Sequence, residues 1–153
     1  MNKKETTETI PNTDEHIDTL SNSKALRVML DNHINAFHAV ENSLDTIEIS
    51  ISKITKLLEN NPKSKIIYVG AGTSARIAVQ DGVELLPTFG WPTKRLKFII
   101  AGGKKALTKS IEGAEDLRYT SVKNVVGNII KPNDIVIGLA ASGSTKFTTE
   151  IIN

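Results

Sequence analysis

The first part of the chain has a hydrophobic pattern typical of helices. Residues 1–15 are polar and predict a flexible arm or an extended strap, and a helix is predicted to begin near Ser23. A second, longer helix is predicted over residues 32–58, because its apolar positions alternate three and four residues apart. These positions are Phe37, Val40, Leu44, Ile47, Ile51, Ile54 and Leu58.

These apolar positions form one continuous seam along a helix face. Such a seam fits a helix that packs on the protein's own sheet, and it also fits a dimerisation helix. Packing on the sheet is slightly favoured, because several seam residues are β-branched and few charge pairs flank the seam, which weakens the case for a coiled coil.

The pattern changes to short strands after Asn60-Asn61-Pro62, which is predicted to end the helix. Three apolar runs each lead into a loop of small residues: residues 66–69 before 70–72, 96–100 before 101–103, and 135–139 before 140–143. A helical pattern follows each loop, most clearly at Val122, Val125, Val126, Ile129 and Ile130. Strand, loop and helix repeated in this way predict an α/β fold with a parallel, doubly wound sheet.

Composition narrows the class of protein. A chain of 153 residues is long enough for one domain, and its net charge of +2 with only 5% aromatic residues argues against nucleic-acid binding. The absence of cysteine excludes disulfides, a thiol nucleophile and cysteine-based metal sites. No apolar run approaches the roughly 20 residues of a membrane span, and the N-terminus lacks the apolar core of a signal peptide. A cytoplasmic protein without a membrane partner is therefore expected.

Two loops at strand ends are rich in glycine and hydroxyl groups, where open α/β sheets bind their ligands. Free N–H groups at a helix start favour an anion, and hydroxyl groups either donate to it or cap the helix. Phosphate binding is favoured over capping because two such loops occupy equivalent strand ends. The candidate phosphate-binding residues are Gly72, Thr73, Ser74, Ser142, Gly143, Ser144 and Thr145.

A dinucleotide cofactor is the less favoured alternative. The first loop fits the pattern G-x-G-x-x-A through Gly70, Gly72 and Ala75. However, the second strand ends without the carboxylate that would hold a ribose, and the second hydroxyl-rich loop is left unexplained. Lys104 and Lys105 could still meet a 2′-phosphate, so this alternative stays open.

Two glutamates stand out by position. Glu84 follows the first helix after the first loop, and Glu115 lies in a polar hinge between helical stretches. From the residues alone, each is more often an exposed surface carboxylate, and spacing does not say whether they face each other. Other carboxylates are equally available on composition, namely Asp81, Glu112 and Asp116. No metal site is predicted, because the three histidines lie upstream of the sheet.

Several of these stretches together resemble one family, the N-acetylmuramic acid 6-phosphate etherases of the SIS (sugar isomerase) superfamily. The matching stretches are residues 68–76 (YVGAGTSAR), 81–90 (DGVELLPTFG), 101–103 (AGG), 112–116 (EGAED), 140–143 (AASG) and, near the N-terminus, 17–21 (IDTLS). They occur in the right order and cover most of the chain. The resemblance implies a SIS-type sheet of about three strands in the order 2-1-3, with an N-terminal arm and helices in 1–60 and the first half of the SIS domain in 61–153.

The resemblance also implies an activity. Such enzymes are carbon–oxygen lyases of peptidoglycan recycling and amino sugar catabolism. They cleave the D-lactyl ether of N-acetylmuramic acid 6-phosphate to N-acetylglucosamine 6-phosphate and D-lactate, with no cofactor or metal. By position, Glu84 matches the proton donor and Glu115 matches the second member of the acid–base pair.

The sequence departs from the family in three residues and in length. Ala75 replaces a glycine, Ser144 an arginine and Lys146 a proline, and Lys146 can partly replace the lost arginine. Family members are longer, so the chain is expected to be a fragment, the first product of a split gene or a remnant. It would then need a homodimer or a second polypeptide that completes the sheet. The alternatives are a non-catalytic sugar-phosphate-binding module and an inactive remnant.

Overall fold

The computed structural model describes residues 16–116 and 126–153. The predicted N-terminal arm and two residues of the predicted helix, Val122 and Val125, lie outside the described residues. The chain divides into two compact units, one ending at Lys56 and the other formed by Leu57–Asn153.

The first unit is helical. A short 3-10 helix, Ile17–Thr19, precedes helix α1, Asn22–Glu41, and helix α2 spans Leu44–Asn60. The Ser21 hydroxyl caps α1 by accepting a hydrogen bond from the Lys24 N–H at 3.4 Å. The predictions of a helix start near Ser23 and of a helix end at Asn60 are therefore confirmed within the uncertainty of helix boundaries.

The prediction of one continuous helix over residues 32–58 is wrong, because a turn at Asn42 and Ser43 separates α1 from α2. The Ser43 N–H bonds to the Val40 carbonyl at 2.9 Å, a tighter pattern than that of an α-helix, and its hydroxyl donates to the Ala39 carbonyl at 2.9 Å. Short polar side chains compete with the helical backbone in this way, so two polar residues in succession end the helix despite the apolar seam around them.

Most of the apolar seam is exposed, and Ile54 and Leu58 at its end are half-buried. Phe37 is 64% exposed and Ile51 is 58% exposed, and none of the residues of α1 or α2 is buried. The helical unit by itself tests neither interpretation of the seam, and both packing on the sheet and dimerisation stay predictions.

The second unit is an α/β fold with a parallel sheet, as the sequence predicts. Its three strands lie in the order β2-β1-β3, which confirms the predicted order. Among its described residues, 3-10 helices lie at Thr93–Arg95, Gly103–Leu107 and Ala114–Asp116, and residues 126–129 are helical. The strands and helices are β1 (Ile66–Gly70), α3 (Gly72–Val83), α4 (Leu85–Phe89), β2 (Leu96–Ile100), β3 (Ile135–Leu139) and α5 (Lys146–Ile152).

The register brings the carboxyl ends of all three strands to one edge. Gly70 at the end of β1 pairs with Ile100 of β2 and with Leu139 of β3. The loops that follow the strands therefore begin side by side, because parallel strands that end in register have their carboxyl ends at the same edge of the sheet. This edge carries the candidate site.

The central strand carries the core. Ile67 and Val69 are fully buried, and on their side of the sheet they belong to a cluster with Ile99, Phe147 and Ile151. Alternate residues of a strand point to opposite faces, so the Tyr68 side chain lies on the other face of the sheet.

Tyr68 lies under α3. Its ring stacks on that of Phe98 with centroids 5.8 Å apart, and its hydroxyl donates a 2.6 Å hydrogen bond to Asp81 Oδ2. Burial, and then the neighbouring Asp81 carboxylate, raise the pKa of Tyr68 far above its ordinary value. The Asp81 carboxylate is therefore engaged in a hydrogen bond with the Tyr68 hydroxyl.

Gly82 lets α3 approach this ring pair, and we expect Gly82→Ala to destabilise the fold by about 1–3 kcal/mol. A β-carbon at position 82 would lie 2.6 Å from Phe98 Cε1 and 3.1 Å from Tyr68 Cε2. Urea unfolding measures the change as a lower midpoint.

Gly127→Ala is the matched control. Gly127 is also helical, but a β-carbon there meets no atom within 4 Å. Alanine should therefore stabilise that helix by about 0.5–1 kcal/mol. Equal effects of the two substitutions would contradict the packing argument.

Candidate active site

The first loop runs from β1 directly into α3. A β-carbon at Gly70 would lie 3.1 Å from the Ala75 backbone nitrogen and 3.2 Å from the Leu139 carbonyl oxygen, so glycine lets the strand, the helix and β3 meet closely without displacing their backbones. Gly72, the first residue of α3, has φ +55°, a conformation that glycine adopts without strain. The glycines therefore place the start of α3 at the carboxyl end of β1.

No side chain caps α3. Its N-cap residue is Ala71, and the adjacent hydroxyl residues, Thr73 and Ser74, lie inside the helix. The first N–H groups of a helix have no partner within it, so they stay available to an anion. The interpretation of these hydroxyls as mere N-caps therefore does not hold for the first loop.

The second loop connects β3 to α5 through a glycine turn. Gly143 has φ +70°, and its N–H bonds to the Ala140 carbonyl at 3.2 Å. Beyond the turn, the Ser144 hydroxyl and N–H both donate to the Ser142 oxygen, at 2.8 Å and 3.2 Å. Thr145 is the N-cap residue of α5 but its side chain makes no capping hydrogen bond. The hydroxyls of this loop therefore do not cap α5 either.

A cavity of about 380 Å³ lies between the two loops, and we call it the loop hollow. It is lined by most of the predicted phosphate-binding residues: Gly72, Thr73, Ser74, Ser142, Ser144 and Thr145. Gly143 does not line it but forms the turn that presents its neighbours. The loop hollow also includes Glu115, Asp116 and Lys146.

A second cavity of about 400 Å³ adjoins the first, and we call it the Arg76 hollow. Gly72, Thr73 and Glu115 line both cavities, so the two hollows share a wall. The Arg76 hollow also includes Lys109, Ser110 and Glu112.

Arg76 links α3, at the wall shared by the two hollows, to the segment that follows β2. Its guanidinium donates to the Ala106 carbonyl at 3.1 Å and to the Lys109 carbonyl at 3.2 Å. It also donates to the Thr73 hydroxyl oxygen at 3.4 Å. The described partners of Arg76 are thus two carbonyls and a hydroxyl.

Glu115 lies where both hollows meet. It belongs to the 3-10 helix Ala114–Asp116, and Ala114 is only 8% exposed in the core cluster. Gly113, with φ +68°, makes the turn that leads into this helix. The buried alanine thus anchors the segment, and the glutamate that follows lines the cavity wall.

Glu84 lies elsewhere. It is an exposed residue that follows the last residue of α3, while Gly72 at the other end of that helix lines both hollows. A helix of 12 residues rises about 18 Å. Glu84 lines neither hollow, so the structure brings together Glu115 and the two loops but not the two candidate glutamates.

Two charged residues of the loop hollow were not among the predicted site residues. Asp116 directly follows Glu115 and was one of the other available carboxylates, and Lys146 directly follows the second loop, where the sequence offered it as a partial replacement for the family's arginine. Lys146 Nζ lies 3.8 Å from Asp116 Oδ1. Among the described residues, no group of three or more histidine, aspartate or glutamate side chains could hold a metal ion, and no helix is long and apolar enough to cross a membrane.

The parallel sheet, its strand order and the paired loops define a SIS-type domain. Residues 48–153 match the family described as "Glucokinase regulatory protein N-terminal SIS domain". The chain belongs to this family of SIS domains.

Within that class, the chain is similar to proteins named N-acetylmuramic acid 6-phosphate etherase. It is 39% identical to the one from Lactococcus lactis subsp. lactis over 142 residues, which cover 93% of this chain and 47% of the relative. It is 36% identical to that of Deinococcus radiodurans over 131 residues, covering 86% of this chain and 42% of the relative. The one from Psychromonas ingrahamii is 39% identical over 132 residues, covering 86% and 44%. The chain therefore spans less than half the length of these relatives and corresponds to their N-terminal part.

Proposed function

We propose that this chain forms part of a lyase that cleaves the D-lactyl ether of N-acetylmuramic acid 6-phosphate. The products are N-acetylglucosamine 6-phosphate and D-lactate, with one water consumed. The observation that carries the proposal is the position of Glu115, which lines both the hydroxyl-rich loop hollow and the adjoining Arg76 hollow. The names of the relatives supply the substrate, and their reaction would place the protein in amino sugar catabolism and peptidoglycan recycling in the cytoplasm.

The phosphate would bind in the loop hollow. The free N–H groups of the first turn of α3 and the hydroxyls of Thr73, Ser74 and Ser142 are hydrogen-bond donors of the kind that phosphate oxygens accept. The hydrogen bond from Arg76 to the Thr73 oxygen occupies that oxygen as an acceptor. The Thr73 proton is then free to point to the ligand.

Glu115 would act on the sugar next to the phosphate. In the open-chain sugar the C2–H lies next to the aldehyde, so a base can remove it. The C3–O bond then breaks, and the leaving lactate oxygen needs a proton from an acid. Water adds to the unsaturated intermediate at C3. A carboxyl group between the two hollows suits one of these proton transfers, each typically worth 10²- to 10⁴-fold in rate.

The second carboxyl would be Glu84, and it would come from a second copy of the chain. Glu84 is separated from the Gly72 end of α3 by about 18 Å, a span too long for one sugar ring to bridge. A homodimer would solve this by placing α3 of one copy near the loops of the other. Residues 1–60 as an N-terminal arm with helices, and 61–153 as the first half of the SIS domain, remain the proposed division of the chain.

A second candidate function is a sugar-phosphate-binding module without catalysis. It is favoured by one observation, that Glu84 lines neither hollow. This module would keep the loop hollow and bind sugar phosphates without turning them over.

The test is lactate release from N-acetylmuramic acid 6-phosphate. The purified chain is assayed alone and together with a polypeptide that supplies the rest of a longer relative, and N-acetylmuramic acid without phosphate is the control substrate. We expect release that depends on the phosphate, by the chain alone if copies assemble a site and otherwise only with the added polypeptide. Binding of sugar phosphates without release in either assay would replace the lyase with the binding module.

A further inference from the structure

More acidic than basic side chains line the loop hollow. Glu115 and Asp116 contribute two carboxylates, and Lys146 is the only basic residue among the described residues of the lining. A phosphate monoester carries nearly two negative charges at neutral pH. Without a cation, the hollow would set two carboxylates against that dianion, and close like charges disfavour binding.

Lys146 forms only a weak ion pair with Asp116. The 3.8 Å between Lys146 Nζ and Asp116 Oδ1 is too long for a hydrogen bond, and the two side chains are 61% and 71% exposed. Exposed pairs of this kind contribute little to stability, because water and salt screen them and both side chains lose freedom. Lys146 can therefore leave Asp116 at small cost.

We propose that Lys146 is a phosphate-binding residue and that a phosphate ester displaces Asp116 as its partner. The ammonium group would donate charge-assisted hydrogen bonds to the phosphate, which are stronger than the bonds that the neutral hydroxyls of the loops supply. Asp116 would compete with the ligand for Lys146 and so set the affinity. The proposal rests on the phosphate site of the proposed function, but not on the lyase chemistry.

Two substitutions with opposite expected signs test the proposal. Lys146→Ala should weaken the binding of N-acetylglucosamine 6-phosphate by about 10- to 100-fold, because it removes hydrogen bonds from a charged donor. Asp116→Asn should tighten binding by roughly 2- to 10-fold, because it removes both the competitor and one repelling charge. Lys146→Arg should restore most of the affinity. Isothermal titration calorimetry on the 153-residue chain at fixed ionic strength measures all of these.

Lys53→Ala is the matched control, because it removes the same charge from an exposed position of α2. It should leave the affinity unchanged, and unphosphorylated N-acetylglucosamine should not distinguish any of the variants. Thermal unfolding of each variant checks that the fold is intact, which is expected for side chains this exposed.

Each outcome decides the proposal. Unchanged affinity in Lys146→Ala, or a loss equal to that of Lys53→Ala, overturns it while leaving a phosphate site in place. Weaker binding in both Lys146→Ala and Asp116→Asn also overturns it, because a merely structural ion pair gives that result. Failure of the wild-type chain to bind the phosphate ester, both alone and with the added polypeptide of the lactate assay, overturns this proposal together with the phosphate site of the proposed function. The expected pattern without any lactate release supports the role of Lys146 and removes only the lyase.

Discussion

Glu84→Gln and Glu115→Gln are each expected to lower lactate release from N-acetylmuramic acid 6-phosphate by about 10²- to 10⁴-fold. Glutamine keeps the size and the hydrogen-bonding reach of glutamate but can neither take up nor deliver the proton. Binding of N-acetylglucosamine 6-phosphate should survive in both variants, because neither change removes a group proposed to hold the phosphate. The measurement is the rate of lactate release in whichever assembly is active, the chain alone or the chain with its added polypeptide.

Mixing the two variants tests where Glu84 acts. If Glu84 of one copy serves the site built around Glu115 of the other, a mixed dimer contains one site in which both glutamates are intact. In an equal mixture of symmetric dimers about half are mixed, so about a quarter of the wild-type rate should return.

A matched glutamate serves as the control for this experiment. Glu59→Gln changes an exposed residue of α2 outside both hollows and should keep the wild-type rate. A mixture as slow as its components would contradict the shared site. A wild-type rate in either single variant would remove that glutamate from the mechanism.

The strands were predictable because their signals are local, whereas their order was implied by the resemblance to the family. Each apolar run of β1, β2 and β3 is short, and each ends at small residues that only a tight connection needs. Gly70 illustrates the reason: the atoms that would crowd a side chain there belong to α3 and β3, so the glycine marks the point where the strands release the chain. The loops of the candidate site follow from the same signal.

One feature that the sequence did not predict is local, and the others depend on distances between elements. The turn at Asn42 and Ser43 was hidden, because the apolar spacing continues through it while side-chain competition for the backbone ends the helix. The separation of Glu84 from the loops depends on the length of α3 and on which end of it faces the site. Arg76 bonds to the carbonyls of Ala106 and Lys109, 30 and 33 residues away, and no spacing rule reveals such partners.

Asp134 lies at the amino-terminal end of the sheet, opposite the candidate site. Of the substitutions considered for the fold, its replacement should lower the free energy of unfolding most. Its carboxylate accepts the Lys65 N–H at 2.8 Å with Oδ1, and it accepts the Lys131 N–H at 2.9 Å with Oδ2. The first of these bonds joins the starts of β1 and β3 across 69 positions of sequence, and the second closes the turn that leads into β3. Asp134→Asn should lower the free energy of unfolding by about 2–3 kcal/mol, because an amide has one acceptor oxygen and must leave one of the two N–H groups unpaired.

Acid should remove the same contribution. Burial alone would raise the pKa of Asp134, but the hydrogen bonds from the Lys65 and Lys131 N–H groups, together with the Lys65 ammonium, outweigh burial and hold the pKa below its ordinary value of 3.8. A carboxyl whose pKa is lowered on folding stabilises the protein above the unfolded pKa, and that stability disappears as the pH falls through the folded pKa. The difference between wild type and Asp134→Asn should therefore be constant near neutral pH and shrink below about pH 4.

Lys65→Met distinguishes the contribution of the Lys65–Asp134 ion pair from that of the two backbone hydrogen bonds to Asp134. It removes the ammonium that lies 3.3 Å from Asp134 Oδ2 but keeps both backbone hydrogen bonds. The Asp134 side chain is only 2% exposed whereas that of Lys65 is 24% exposed, so water screens the ammonium but not the carboxylate. Urea unfolding at several pH values should then show a smaller loss for Lys65→Met than for Asp134→Asn. Equal losses would mean that the ion pair, rather than the hydrogen bonds from the two N–H groups, accounts for the stabilising effect of Asp134.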